Sequence, residues 1–260
     1  MKTKICQVVL PLLMPVLLLA AGKKPARDYY EITIYHFKTE AQEKAIDSYL
    51  SAAFLPAAHR NGIASVGVFK PLANDTAEDK RVYVLLPFKS EEQLMTFPAK
   101  LDADAAYTTA AASWLDAPYN EPNYTRMESI WLQAFPMALQ MQLPKLSSPL
   151  ASHIYELRSY ESPTEKLFRN KVHMFNEGGE VPLFKRLNFN AVFYASVIHG
   201  SRMPNLMYMT SFEDMADRDA HWKTFSADPE WKRLSSMPFY QHNVSRNETI
   251  FLHAASYSDY

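Results

Sequence analysis

Thiols, glycines and an excess of charge are what this chain of 260 residues has least of. Its single cysteine, Cys6, lies at the start of an apolar run near the N-terminus. Beyond it no disulfide, thiolate metal site or cysteine nucleophile can be built, so stability has to come from burial. Past residue 22 the only glycines are Gly62, Gly67, Gly178, Gly179 and Gly200, which cannot form a P-loop or a GxGxxG turn. Nucleotide cofactors are therefore not expected. None of the eight histidines stands three or four residues from another, the spacing that puts two ligands on one helix face, so no metal motif is written here. Gly200-Ser201 lacks the rest of a nucleophile elbow, which argues against a serine hydrolase. With 27 basic and 28 acidic residues the net charge is -1, leaving no electrostatic footprint for nucleic acid.

What is present begins with an address. Lys2 and Lys4 precede an apolar stretch from Ile5 to Ala21 that ends in the small residues Ala20, Ala21 and Gly22. This order of basic, apolar and small residues reads as a secretory signal over residues 1–22. Pro11 and Pro15 interrupt the stretch, which falls short of the ~20 apolar residues of a comfortable membrane span. The mature protein is thus expected to be exported, periplasmic or secreted, with no membrane attachment after cleavage. Its composition, 48% hydrophobic and 21% charged, is that of an ordinary globular protein. Small molecules or proteins are the expected partners.

The remaining chain repeats. Arg126-Met-Glu-Ser-Ile-Trp-Leu-Gln-Ala134 matches Arg246-Asn-Glu-Thr-Ile-Phe-Leu-His-Ala254. Tyr30-Glu31-Ile32 matches Tyr155-Glu156-Leu157, and Asp104-Ala-Ala-Tyr107 matches Asp228-Pro-Glu-Trp231. Ordered matches at near-constant offsets imply duplication. The copies are assigned to 29–135 and 153–257, joined by a linker over 136–152 that Pro144, Ser147, Ser148 and Pro149 break up.

Each copy reads as βαββαβ. In the second, Ile154 to Tyr160 alternates as a strand does, and Ser162-Pro163-Thr164-Glu165 offers an N-cap, a first-turn proline and a capping-box glutamate. The helix that follows carries Phe168, Val172 and Phe175, and Gly178-Gly179 permits its exit. Asn190 to Val197 and Leu206 to Phe212 form a hairpin around His199-Gly200-Ser201. A second helix starts at Ser211 with Asp214 and bears Met215 and Trp222, and Thr249 to Ala254 is the closing strand. The first copy gives a strand at Tyr30 to His36 and a helix from Thr39 bearing Ile46, Tyr49, Leu50 and Phe54. Strands at Ser65 to Phe69 and Arg81 to Pro87, a helix capped by Ser90 with Gln93, and a strand at Ser129 to Phe135 complete it. A ferredoxin-like sheet is covered by helices on one face only. Its other face must be buried, and the second copy can do that within one chain, giving an α+β protein in which two tandem ferredoxin-like units form an intrachain dimeric α+β barrel. Two independent domains that pair with other chains are the alternative, so the molecule is either a monomeric pseudo-dimer or part of a higher homo-oligomer.

Several segments of the second copy resemble the NIPSNAP family: Tyr155-Glu156-Leu157-Arg158-Ser-Tyr160, Leu206-Met-Tyr208 followed by Phe212-Glu-Asp, Ala227-Asp-Pro-Glu-Trp231, and Asn247-Glu-Thr-Ile250. The first copy is looser, with Thr33 in place of Arg158 and Tyr107 in place of Trp231. NIPSNAP domains belong to the dimeric α+β barrel group, so the resemblance implies the same architecture. That broader group includes cofactor-free monooxygenases, heme-binding enzymes and small-molecule isomerases, and NIPSNAP proteins have no agreed catalytic residue set. The resemblance therefore implies a fold and not a task.

Glu156, Arg158 and Tyr160 share one strand face by period two, and would make a polar floor for a ligand if that face lined the barrel. They would equally form an internal ion pair between Glu156 and Arg158, since buried charges normally occur paired. His173 and His221, on the two helices, are candidate ligand groups, the first as a general base or axial heme ligand. Tyr35, Tyr194 and Tyr208 are strand aromatics that line either a pocket or the core. Three functions stay open at this level. A small organic molecule is bound in a barrel pocket, between the sheet and helices of the second copy, with oxygenase-like chemistry by analogy. The duplicated barrel presents a protein-interaction surface without catalysis. Heme, the one cofactor considered, is held by His173 or His221.

Overall fold

The computed structural model describes residues 26–260, so the signal reading lies outside the described residues. In the first half β1 (Tyr29–Phe37) leads to α1 (Glu40–Tyr49), which passes through a π-helical turn (Leu50–Phe54) into α2 (Leu55–Arg60). Then come β2 (Gly67–Pro71), β3 (Lys80–Phe88), α3 (Glu91–Ala103), α4 (Ala105–Ala110), α5 (Ala112–Leu115) and β4 (Arg126–Ala134). The second half runs β5 (Ile154–Glu161), α6 (Glu165–Phe175), α7 (Glu180–Arg186), β6 (Ala191–His199), β7 (Asn205–Phe212), α8 (Met215–Ala227), α9 (Pro229–Ser236) and β8 (Arg246–Ala254). The segments β4 and β8 coincide residue for residue with the longest internal match.

Helix starts follow side-chain chemistry. Thr39 and Gln42 form the reciprocal capping box that opens α1, and the Ser90 hydroxyl accepts the Gln93 N–H to open α3. Two expected caps are corrected. Thr164, not Ser162, accepts from Leu167 N at the start of α6, because the Ser162 hydroxyl is committed to Asn243 O at 2.7 Å. Asp214, not Ser211, caps α8; Ser211 is the penultimate residue of β7 and donates to Asn190 O. Asp104 and Asp228, picked out by the repeat, cap α4 and α9 in the same manner. Each also binds an arginine from the end of an earlier helix, Arg60 at 2.8 Å and Arg186 at 2.9 Å. After α6 the chain turns at Gly178, where a Cβ would lie 2.5 Å from Met174 O, and Gly179 at φ +99°.

The halves have the same strand order. It is β4-β1-β3-β2 in the first and β8-β5-β7-β6 in the second, and the eight strands close into one barrel through β2–β8 and β4–β6. The seams are antiparallel: Phe69 faces Ala254 and Pro71 faces Leu252 at one, Leu132 faces Val197 and Ala134 faces Ala195 at the other. An intrachain dimeric α+β barrel is therefore what the chain builds, with no free sheet edge between the halves.

Strand alternation sends Tyr30, Ile32, Leu132, Tyr155, Leu157, Phe193, Met209 and Leu252 into the barrel, where they form a single apolar core. Each buried Leu or Phe there is worth ~1.5–3 kcal/mol, which holds the halves together. The reading of a polar floor inside the barrel is corrected. The interior is filled, and the space near one mouth, among Ile34, Tyr83, Leu157 and Met207, measures about 50 Å³, enough for water only. The opposite strand faces pack on the helices, with separate cores around Phe54 and Phe97 in the first half and around Phe175 and Phe184 in the second. Among the described residues no helix is long and apolar enough to cross a membrane.

Candidate functional site

On β5, Tyr155 and Leu157 take the interior parity, so Glu156, Arg158 and Tyr160 face the helices. The expected polar floor thus lies on the other side of the sheet. The apolar interior core brings no cationic group to a carboxylate, whereas α8 brings Arg218 and the Trp222 indole. Glu156 is fully buried. One of its oxygens accepts from Arg158 Nε at 2.6 Å and Arg218 Nη2 at 3.0 Å. The other accepts from Arg218 Nε at 2.8 Å and Trp222 Nε1 at 2.7 Å. Burial acts to raise the carboxyl pKa, but the Arg218 hydrogen bonds and the charges of both arginines prevail and hold it below its ordinary value. With both oxygens occupied twice, Glu156 is a structural anion and not a free base.

From Arg158 the network continues outward. Its guanidinium stacks 3.8 Å from the Trp222 ring centroid, and Nη1 donates to the Tyr160 hydroxyl at 3.0 Å. The hydroxyls of Tyr160 and Tyr208 are 3.0 Å apart, and Tyr208 stacks on Tyr194 at 5.6 Å. Behind them Lys171 of α6 donates to Glu180 of α7 at 3.0 Å, both side chains buried. Burial pushes the Glu180 carboxyl up, with Lys171 opposing. Tyr194 is 4% exposed, and its hydroxyl has no hydrogen-bond partner among the described residues. Burial first, then the Glu180 charge, push its phenol well above the ordinary value, so it is a neutral hydroxyl at physiological pH.

Tyr194 also lines a groove of about 860 Å³ between the interhalf linker and the β6–α7 surface. The linker is laid over β6 by Phe135 N donating to Tyr194 O and Gln142 N donating to Val192 O. Farther along, the Glu213 carboxylate accepts the N–H groups of Ser147 and Ser148. The groove floor is Val181, Phe184, Phe189, Val192 and Phe193; its rim carries Gln140, Gln142, Lys145, Lys185, Asn188 and Asn190. A cleft of this size, apolar with a few polar groups, is the usual form of a small-molecule site.

Of the residues singled out from sequence, Glu156, Arg158, Tyr160, Tyr208 and Tyr194 form one connected cluster. The others lie elsewhere. His173 is exposed on α6 and its Nδ1 meets the Tyr240 hydroxyl at 2.9 Å. His221 meets Asp217 O at 2.9 Å and packs on Phe189 and Phe212. Tyr35 belongs to the first half, edge-on to Trp114. Neither histidine lines the groove, and the described residues hold no cluster of three His, Cys, Asp or Glu suited to a metal. Sequence reasoning missed Arg218, Lys171, Glu180 and the groove. Arg218 had a signal, since it stands four residues before Trp222 on one helix face.

Closed eight-stranded geometry with both ferredoxin-like units in one chain defines a dimeric α+β barrel protein. Residues 155–259 match the NIPSNAP family model, and this stretch is a NIPSNAP domain. Among solved structures, a "putative monooxygenase" of Fusobacterium nucleatum subsp. nucleatum is 8% identical, with 88% of this chain and 93% of that one covered at a TM-score of 0.57. A protein of the same designation from Lactobacillus acidophilus is 9% identical, covering 88% and 94% at 0.56. An anthrone oxidase-like protein is 8% identical, covering 89% and 93% at 0.51. At such identities the likeness is one of fold alone. A search of curated proteins found no match.

Proposed function

We propose that this protein, exported by its N-terminal signal, binds a small organic molecule in the groove between the linker and the β6–α7 surface. The observation that carries the reading is the cleft of about 860 Å³ itself, floored by Val181, Phe184, Phe189, Val192 and Phe193 and walled by the linker. The Arg158–Tyr160–Tyr208 chain holds the Tyr194 ring in place by stacking, and the linker forms the outer wall. Because proteins of similar fold are designated "putative monooxygenase" and "anthrone oxidase-like", oxygen-consuming conversion of the bound molecule is the reaction to assay first. The heme reading gains nothing from His173 or His221, neither of which lines the cleft.

The test is native mass spectrometry of the full chain purified from its own host, beside an Ala191→Trp variant that fills the cleft. A small mass held by the parent and absent from the folded variant supports the reading. No bound mass in the parent, together with no uptake of the neutral dye Nile red, overturns it, as does an equal mass in both proteins.

A further inference from the structure

We infer that the groove takes an amphipathic organic anion, an apolar body with a carboxylate or similar head. The inference rests on the proposed binding role and names the ligand class. Its first support is the charge of the lining. Lys145 and Lys185 line the groove, with no aspartate, glutamate or arginine among the lining residues. The other polar lining residues are neutral: the four amides Gln140, Gln142, Asn188 and Asn190, and Tyr194.

The second support is that the neighbouring acids are already engaged. Glu213 accepts from Ser147 and Ser148. Asp28 accepts from Lys89 and from Met141 N. Asp228 and Glu230 both bind Arg186, the residue next to Lys185. Lys145 and Lys185 have no ion pair among the described residues. Two ammonium groups thus stand without counter-charge at the rim of an apolar floor, one on the linker and one on α7.

An anion bound between them would sit against a low-polarity wall, where attraction is screened less than in open water. The lysine stems are flexible enough to follow a head group. The body of the ligand would lie on Phe184, Phe189 and Val181. A cationic or strongly basic ligand has no partner in this lining.

The experiment uses the full chain, Nile red as neutral reporter, and decanoate and 1-decanol as competitors of matched length. Decanoate should displace the dye about tenfold better than decanol, the difference expected of one charge-assisted contact. The Lys145→Gln/Lys185→Gln variant should still take up dye but lose most of that preference. Raised salt should weaken decanoate and leave decanol unchanged. Equal displacement by the two, displacement by neither, or an unchanged preference in the double variant overturns the anion inference while dye uptake leaves the groove intact. Absence of dye uptake, or equal uptake by Ala191→Trp, instead removes the groove itself.

Discussion

At the scale of single residues, buried charge decides the behaviour of the second half. Glu156 holds two arginines and an indole, so Glu156→Gln should destabilise by ~3–5 kcal/mol at neutral pH, the usual cost of breaking a buried pair. Its folded pKa lies below the ordinary 4.5, so its contribution is present above that value and is lost as pH falls through the folded pKa. Urea unfolding midpoints of parent and variant should therefore converge below about pH 4.5; parallel curves would show that Glu156 is not the group responsible. Lys171 and Glu180 behave differently, since burial raises the Glu180 pKa against its partner. Glu180→Ala alone should cost ~3–5 kcal/mol, whereas Lys171→Met with Glu180→Leu should be neutral or stabilising. Thermal denaturation of the three proteins checks this.

At the scale of elements, the duplicated aspartates make matched predictions. Asp104→Ala and Asp228→Ala each remove a helix cap and a partner for arginine, and each should lower stability by ~1 kcal/mol or somewhat more. Similar losses in calorimetry would mark the two joints as equivalent; a silent Asp104→Ala would not fit. The linker is tied by Glu213, whose carboxyl the Ser148 hydroxyl and the Ser147 and Ser148 N–H groups hold down to about 2. In Glu213→Gln the amides of Ser147 and Ser148 should exchange with solvent faster, while those of the barrel strands stay protected.

Elements were legible in the chain where period and caps agreed. The eight strands, four main helices and their order follow from alternation and capping signals. Strand β8 begins at Arg246, three residues before Thr249, because its polar, exposed start still pairs with β5 through the backbone and through Arg246 with Glu161. The short helices α4, α7 and α9 were unread, being one or two turns long and set by tertiary contacts such as Arg186 with Asp228. The side of the sheet taken by Glu156 could not be read from period two, which gives a face but not its neighbour. Arg218 and Trp222 decide it. The groove was invisible for the same reason: its two walls, 136–145 and 181–194, are far apart in sequence and meet only when the linker folds back on β6.

At the scale of the molecule, one core spans both halves. Unfolding of the intact chain should be a single cooperative transition, seen together by calorimetry, circular dichroism and tyrosine fluorescence. Expressed alone, residues 146–260 would expose Tyr155, Leu157, Phe193 and Met209 along with two open sheet edges. That fragment should pair with itself or aggregate, and sedimentation should find no stable monomer. A well-behaved monomeric fragment would mean the shared core contributes little.

Joining the halves also ends an obligation. A barrel assembled from two identical subunits must present every feature in duplicate, so any change that improves one wall is imposed on the other. Here Thr33 stands where the second half has Arg158, and Tyr35 leans on Trp114 rather than entering a polar chain. Each copy can therefore vary its strand faces without the other following, a freedom that two identical subunits lack.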